Sequence, residues 1–286
     1  MGVFAEIVQK LAANGVESPR LEARLLIAAA KQIKAEQVFS DIALSALQAA
    51  KLEEMLQQRI NHKPLDKILG HREFYKTDFK VNEDVLSPRP DTEILVEKAL
   101  QYLPQNARNI LDLGTGSGCI IESILFECHD LHGTAVDIAK KSLVLARQNA
   151  IDCGVSKRID FICADWFKPD FLQNFTDKFE LIVSNPPYIP SGEIASLAPE
   201  VKNHDPLVAL DGGADGFASY RRIAELAPDL LHDGGYILLE AGYGQAEQIA
   251  EIFQAQKLTH IETAADLNGI ARCVILQKAV AKSKKS

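Results

Sequence analysis

The sequence predicts an α/β fold in which an open, mostly parallel β-sheet carries helices on both faces. Short apolar runs alternate with helical runs from Asn109 onward, and this alternation is typical of parallel sheets. The runs that we interpret as strands are NILDLG, GTAVDI, RIDFICAD, FELIVSNPP, GGYILLEAG and ARCVILQKA. A small helical domain and a β-hairpin connector are predicted to precede the sheet.

Residues 1–68 are predicted to form the helical domain, a small bundle. Apolar side chains recur at helical spacing near the start of the chain, at Phe4, Ile7, Val8 and Leu11. Ser18 and Pro19 are typical of the beginning of a second helix. A third helical stretch runs to about Ile60, and no strand pattern interrupts the three.

Residues 69–90 are predicted to be the β-hairpin connector. In REFYKTDFKVN, aromatic residues and valine alternate with polar residues, and the polar turn NED follows. Asp91 is expected to cap the helix DTEILVEKALQYL, which opens the α/β domain of residues 91–278. The remaining segment, residues 279–286, is predicted to be a disordered basic tail.

Charge and composition limit the class of function. The 286 residues contain 31 Lys and Arg against 39 Asp and Glu, a net charge of -8. Sequence-independent binding to nucleic acid requires a basic surface, so this balance favours a protein or small-molecule substrate over direct contact with nucleic acid. The five cysteines form no CxxC pair, and no apolar run approaches the roughly 20 residues of a membrane span. We therefore expect a cytoplasmic protein with no metal site and no membrane contact.

A glycine-rich loop follows the first predicted strand of the sheet, and the helical run IIESILFEC follows the loop. Glycines let the chain turn sharply and bring backbone N–H groups against a ligand at a helix N-terminus. The spacing is GxGxG rather than the GxGxxG of NAD enzymes. The predicted cofactor-binding residues of this loop are Gly114, Thr115, Gly116, Ser117 and Gly118. Asp112, on the strand before the loop, is expected to meet the ammonium end of an amino-acid-like cofactor.

Three further segments carry candidate cofactor-binding residues. Asp137 ends the next strand, where it can accept two hydrogen bonds from ribose hydroxyls or cap the following helix, and the two roles can coexist. Asp165 and Trp166 end the third strand, where they could flank an adenine ring or be a surface acid beside a core tryptophan. Arg89, in LSPRPDTE, either closes over the cofactor or braces the connector.

The fourth strand ends in Asn185, Pro186, Pro187 and Tyr188, which is the sharpest chemical signal in the chain. An amide nitrogen is a poor nucleophile because its lone pair is delocalised into the carbonyl group. The Asn185 side-chain oxygen and the Pro186 carbonyl can accept both N–H bonds of a planar NH2 group, and Tyr188 can stack on it. We predict that these three residues are catalytic and that all four bind the substrate. The alternative is a rigid turn without chemistry, since the prolines stiffen the backbone.

Taken in order, these segments resemble the release-factor glutamine methyltransferases, the PrmC/HemK family. The matching segments are GHREFY, LSPRPDTE, DLGTGSG, AVDIA, ADWF, NPPYIP, DPLVALDGGADGFASYRRI, LLEAGYGQ and DLNGIARCV. The resemblance implies a Rossmann-like class I fold that depends on S-adenosyl-L-methionine, yields S-adenosyl-L-homocysteine and uses no metal. The implied acceptor is the side-chain amide nitrogen, N5, of the glutamine in the Gly-Gly-Gln motif of class-1 peptide chain release factors. The sequence departs from the usual family pattern at Lys76, Ser87 and Asp205.

The resemblance also implies roles for particular parts of the chain. The loop Gly114–Gly118 together with Asp137, Trp166 and Asn185 would contact the cofactor. The segment Asn185–Tyr188 would hold the glutamine, and the helical domain would dock the release factor. Three alternatives stay open: a ribosomal-protein glutamine methyltransferase, a nucleic-acid adenine N6-methyltransferase, because an exocyclic base amine is also planar, and a non-catalytic scaffold that binds S-adenosyl-L-methionine.

Overall fold

The parts of the chain that the computed structural model describes are residues 2–39, 42–266 and 268–280. These residues fall into two compact units. The smaller unit lies within Met1–His71 and Ala198–His204, and the larger within Arg72–Leu197 and Asp205–Ser286. Most of the predicted basic tail, from residue 281 onward, lies outside the described residues.

The described residues contain helices in both units. The α-helices are α1 (Val3–Ala13), α2 (Pro19–Lys31), α3 (Ala46–Ile60), α4 (Leu65–Leu69), α5 (Glu93–Tyr102), α6 (Cys119–Glu127), α7 (Lys140–Asp152), α8 (Pro199–Lys202), α9 (Ala218–Leu230) and α10 (Ala246–Ala255). No helix in the described ranges has both the length and the apolar character that crossing a bilayer would require.

The smaller unit is helical, and its first three helices lie where the apolar spacing predicts them. Leu11 and Leu56 are fully buried in its core. Arg59 of α3 donates hydrogen bonds to the carboxylates of Glu22, at 2.5 Å, and Glu200, at 2.7 Å. These charged pairs link α2, α3 and α8 within this unit, and they neutralise the buried Arg59 guanidinium, which would be costly without a partner.

The larger unit is built on a mixed but mostly parallel sheet. Its strands are β1 (His71–Phe74), β2 (Thr77–Lys80), β3 (Asn109–Leu113), β4 (His132–Asp137), β5 (Ile159–Cys163), β6 (Phe179–Ser184), β7 (Leu231–Glu240), β8 (Leu258–Ala265) and β9 (Ala271–Lys278). Strands β1 and β2 form the predicted hairpin, and the main sheet has the order β5-β4-β3-β6-β7-β9-β8. In the main sheet only β9 runs in the opposite direction, and it pairs antiparallel with both of its neighbours, β7 and β8. Apolar clusters lie on both faces of the sheet, which confirms the predicted fold class.

Two local expectations differ from the structure. Asp91 does not cap α5; the helix begins at Glu93 after a 3-10 turn, and the Asp91 carboxylate instead forms an ion pair with Arg272 at 3.1 Å. The strand β8 was not predicted. Its exposed positions alternate with buried or half-buried ones along Leu258–Ala265, and it therefore has no continuous apolar run.

Candidate functional site: the edge of the sheet at β3 and β6

The candidate site lies where two neighbouring parallel strands end. Leu113, the last residue of β3, pairs in register with Ser184, the last residue of β6. The Ser184 hydroxyl also donates a hydrogen bond to the Leu113 carbonyl at 2.6 Å. The glycine-rich loop and the Asn185 segment therefore leave the sheet side by side at the same edge. The carboxyl edge of such a sheet, where the strand order reverses, is the usual ligand site of open α/β folds.

A cavity of about 660 Å³ opens at this edge, within the larger unit. Its volume lies in the range of small-molecule and cofactor sites. Residues that the sequence predicted as functional line it: Gly114–Ser117, Asp137, Asp165, Trp166, Asn185 and Pro187. The connector also lines the cavity, with the candidate Arg89 and with residues 84–88, and residues 206–209 supply further wall; the sequence did not predict the part of residues 84–88 and 206–209. The structure thus brings together residues from four strand ends.

The glycines of the loop have backbone conformations that other residues adopt only with strain. Gly114, Gly116 and Gly118 all have positive φ, at 79°, 56° and 86°. A Cβ on Gly114 would lie 3.3 Å from the Trp166 ring, and one on Gly118 would overlap the Glu122 carboxyl. A Cβ on Gly116 would meet no atom within 4 Å. The loop is therefore packed beneath its ends and open at its centre, where it faces the cavity.

Asp112 does not line the cavity, and its contact with a cofactor stays a prediction. It is fully buried beneath the loop, and one oxygen accepts a hydrogen bond from the Thr115 hydroxyl at 2.8 Å. Burial raises the pKa of Asp112 to about 7. In this structure the carboxyl supports the loop from below, and the cavity wall above it is formed by the loop itself. The reason is that side chains alternate across a strand, so Asp112 points into the layer between sheet and helix.

Asp137 lies at the end of β4 and is held by backbone groups on both sides. Its carboxylate accepts hydrogen bonds from the N–H of Gly116, at 2.9 Å, and of Ala139, at 2.8 Å. Burial raises its pKa, opposed by these backbone hydrogen bonds. The Ala139 bond belongs to the turn before α7, and the Gly116 bond fixes the glycine loop. Asp137 therefore combines a turn-forming contact with a fixed position in the cavity wall; Ala139 is the N-cap residue of α7, and no side chain caps the helix.

Asp165 and Trp166 lie together at the cavity, and the expectation that they flank an adenine ring stays a prediction. Both line the cavity, while the Trp166 ring packs against the apolar core. The Arg222 side chain donates a hydrogen bond to the Trp166 carbonyl at 2.7 Å. The Asp165 carboxylate accepts from the Phe167 N–H at 2.9 Å and so forms a local turn. The ring is consequently held in a defined position beside Gly114.

In the Asn185–Tyr188 segment, Asn185 and Pro187 line the cavity, whereas Pro186 is buried. The Tyr188 ring packs against the core and against Gly242, and Gln245 donates a hydrogen bond to the Tyr188 carbonyl at 3.0 Å. Burial raises the pKa of Tyr188 to about 12, so the phenol is neutral at physiological pH. Its ring thus stiffens the segment in this structure, and its stacking on an acceptor stays a prediction.

Arg89 lines the cavity and forms an ion pair with Asp205 at 3.0 Å. The Asp205 side chain is almost fully buried, whereas that of Arg89 is about half exposed. The pair ties the connector to the segment that leads into residues 206–209 of the cavity wall. Bracing is therefore the role that its contacts favour.

Sequence reasoning missed two polar residues that contact Asn185. The Asn185 side-chain nitrogen lies 3.5 Å from the Thr92 hydroxyl oxygen. The Glu240 carboxyl lies beside the side chains of Thr92 and Asn185, and both lower its pKa. Thr92 and Glu240 are almost fully buried. Glu240 ends the apolar run YILLE, and an acid at the carboxyl end of a central strand is the signal that could have identified it. No group of three or more His, Cys, Asp or Glu in the described ranges is arranged to hold a metal ion.

Comparison with known proteins indicates a methyltransferase, a class of protein that agrees with this fold and this site. Residues 3–70 match the model of the PrmC N-terminal domain, and residues 90–199 match that of the methyltransferase small domain. A methyltransferase from Pyrococcus furiosus shares the fold, with a TM-score of 0.53 and 16% identity over 72% of this chain and 91% of its own. The catalytic domain of hMettl16, solved in complex with a 3′UTR hairpin, has a TM-score of 0.59 and 16% identity over 78% of this chain and 84% of its own. The chain is a methyltransferase of the S-adenosylmethionine-dependent class.

Closer relatives define the family. The release factor glutamine methyltransferase of Rhodospirillum rubrum is 40% identical over 95% of this chain and 83% of its own length. That of Caulobacter vibrioides is 38% identical over 91% of this chain and 90% of its own. The chain therefore belongs to the family of release factor glutamine methyltransferases.

Proposed function

We propose that this protein transfers a methyl group from S-adenosyl-L-methionine to the side-chain amide nitrogen of the glutamine in the Gly-Gly-Gln motif of class-1 peptide chain release factors. The observation that carries the proposal is the shared edge of β3 and β6, where the glycine loop and Asn185 face one cavity. The names of the relatives support the acceptor. Release factors act in the cytoplasm, which is where the proposal places this chain.

The residues around the cavity fit S-adenosyl-L-methionine, which supplies a methyl group on a sulfonium. Space at Gly116 leaves room for a ligand against the loop backbone. Asp137 is held with its carboxylate at the cavity wall, where it can accept hydrogen bonds from ribose hydroxyls. The Trp166 ring lies beside Gly114 of the loop, where it would serve as a platform for a flat base. Asp165 would bind the base edge from the same strand end.

The Asn185 segment would hold the acceptor amide. The Asn185 side-chain oxygen and the Pro186 carbonyl accept both N–H bonds of the NH2 group, which orients the nitrogen and increases its electron density. Bound S-adenosyl-L-methionine would supply the methyl group and leave as a neutral thioether that keeps the electron pair of the carbon–sulfur bond. The acceptor nitrogen would form the new carbon–nitrogen bond and release one proton to the solvent. Positioning of this kind contributes several kcal/mol to transfer reactions.

The helical unit serves as a docking surface for the protein substrate in this proposal. Its support is the match of residues 3–70 to the PrmC N-terminal domain. The net charge of -8 also favours a protein acceptor over a nucleic acid, since nucleic-acid enzymes profit from a basic surface.

The glycine loop permits a direct test of the cofactor site with a matched control. Gly116→Ala and Gly154→Ala both place a Cβ at positive φ, at 56° and 73°, with no atom within 4 Å. We expect similar small losses of thermal stability from the two, because the backbone strain is alike. Only Gly116→Ala should weaken binding of S-adenosyl-L-methionine, by about tenfold or more, because its methyl group enters the cavity. Calorimetric titration of both variants measures the affinity for S-adenosyl-L-methionine. Equal affinities would show that the loop is not part of the binding site.

The acceptor is tested by incubating the purified chain with methyl-labelled S-adenosyl-L-methionine and, in separate reactions, a release factor, a ribosomal protein and DNA. The proposal predicts label in the release factor only, and its loss when the Gly-Gly-Gln glutamine is replaced. Label found only in the ribosomal protein or only in DNA would show that the release factor is not the acceptor. Cofactor binding without transfer to any of them would favour the scaffold alternative.

A further inference from the structure

Glu240 is a buried acid next to the residue that is expected to hold the acceptor. It ends β7, the strand that runs parallel beside β6, and Leu239 pairs in register with Ser184. Glu240 and Asn185 therefore follow directly from paired positions on neighbouring strands. The side chain of Glu240 is almost fully buried, and none of the predicted roles of the site uses it.

Three polar side chains, those of Glu240, Thr92 and Asn185, lie together. The Glu240 carboxyl lies beside the side chains of Thr92 and Asn185, and both lower its pKa. The Asn185 nitrogen Nδ2 also lies 3.5 Å from the Thr92 oxygen, at the outer limit of a hydrogen bond. A hydroxyl that donates to a carboxylate keeps its lone pairs free to accept, so Thr92 can serve both neighbours.

The orientation of the Asn185 carboxamide decides whether the site works. Its oxygen and nitrogen ends have nearly the same shape, so packing alone does not distinguish the two orientations. With Oδ1 toward the cavity, the side chain accepts an N–H bond of the acceptor. With Nδ2 toward the cavity, two donors would face each other. An ionised carboxylate accepts only, and so favours Nδ2 on its own side.

We propose that Glu240 is a positioning residue that, with Thr92, holds Asn185 Nδ2 away from the cavity and so presents Oδ1 to the acceptor nitrogen. The inference rests on the proposed function, in that it assumes a planar nitrogen acceptor at Asn185. It does not depend on which macromolecule carries that nitrogen.

The burial of Glu240 argues against a purely stabilising role. One carboxylate oxygen, Oε2, is buried and has no hydrogen-bond partner among the residues that the structure describes. A buried carboxyl with an unsatisfied oxygen is costly, and a neutral or apolar side chain of similar size would avoid that cost. The benefit must therefore come from what the carboxyl contacts.

The charge of Glu240 changes near neutral pH. Burial raises the pKa of Glu240 to about 7, and the negative charge of Asp91 adds to this rise. The side chain of Thr92 and the positive charge of Arg272 act in the opposite direction and lower the pKa. The other titratable groups that interact with it electrostatically are Cys119, Tyr188, Tyr220 and Cys273, whose own pKa values are raised by burial. Because the ionised form orients Asn185, kcat should rise as the pH increases through about 7.

The test uses Glu240→Gln, whose amide has the same shape but offers both a donor and an acceptor. We expect kcat to fall by about tenfold to hundredfold, less than for loss of Asn185 itself, and the rise of kcat near pH 7 to disappear. KM for the acceptor and the Kd of S-adenosyl-L-methionine should change by no more than about twofold. Glu251→Gln, an exposed site on α10, is the control and should match the parent protein.

A double variant separates positioning from a structural role. If Glu240 acts through Asn185, adding Glu240→Gln to Asn185→Ala should cause no further loss, because the coupled residues are not additive. Independent, multiplicative losses would overturn the proposal. Any acceptor that the parent protein methylates serves in this assay, so a wrong acceptor assignment does not alter the outcome.

The contact is also measurable without turnover. The side-chain amide signals of Asn185 in a nitrogen-15 NMR spectrum, assigned by their absence in Asn185→Ala, should shift with pH with a midpoint near 7 in the parent protein. They should not shift in this range in Glu240→Gln. Signals that ignore both the pH and the substitution would overturn the proposal even if the release factor proves to be the acceptor.

Discussion

Replacing Asn185 with alanine should lower kcat for methyl transfer by a factor of about 10² to 10³. In the proposed function the side-chain oxygen accepts an N–H bond from the acceptor, and its loss would leave the amide nitrogen unoriented and less electron-rich. Asn185 lies at the cavity wall beside the end of β3, so the deletion also opens space where the acceptor would bind. Single-turnover transfer to a release factor, with a Kd for S-adenosyl-L-methionine measured in parallel, gives the effect on each step.

Asn106→Ala provides the matched control for this prediction. Asn106 is exposed between α5 and β3, and its replacement should leave kcat within about twofold of the parent value. Circular dichroism and thermal unfolding would verify that both variants are folded. An Asn185→Ala protein that keeps full turnover would mean that the strand end is only a rigid turn, and the proposed chemistry would fail with it.

The periodicity of the sequence predicted the parallel sheet because each central strand is buried on both faces. The runs NILDLG and FELIVS are continuous and apolar for that reason, and they became β3 and β6. Strand β8 lies at the end of the sheet order, and it buries only Leu258 and Ala264. In an edge strand of this kind apolar residues alternate with polar ones, so the sequence pattern indicates the strand much less clearly.

Strand order and side-chain contacts are the parts that the sequence did not supply. β3 and β6 are neighbours although two other strands of the sheet lie between them in the chain. The sequence did not identify Glu240 as a candidate site residue, because its neighbours in the fold, Thr92 and Asn185, come from distant segments of the chain. The expectation that Asp91 caps α5 was wrong for the same reason, since Arg272 attracts that carboxylate from β9. Local patterns predict elements and loops, whereas long-range pairs of charges require the fold.

Replacing Asp137 with alanine should have the largest effect on cofactor binding. The variant would lack the carboxylate and with it the two proposed hydrogen bonds to ribose hydroxyls, each worth about 1.5 kcal/mol to a charged acceptor. It would also lose the bond from the Gly116 N–H at 2.9 Å, which holds the loop that faces the cavity. We expect the Kd of S-adenosyl-L-methionine to increase on the order of 10²-fold, measured by calorimetry. Asp137→Asn keeps one acceptor oxygen and should give an intermediate Kd.

The pH dependence of this binding has a defined sign. Burial raises the pKa of Asp137, so protonation on acidification removes the charged acceptor at a higher pH than for an exposed aspartate, and affinity should fall as the pH decreases. Asp160→Ala, at an exposed site on β5, is the control and should bind as the parent protein does. If Asp137→Ala retained an affinity within about threefold of the parent protein, its carboxylate would be only a turn-forming group. The cofactor would then have to bind without a contact from the end of β4, and the present assignment of the cavity would be untenable.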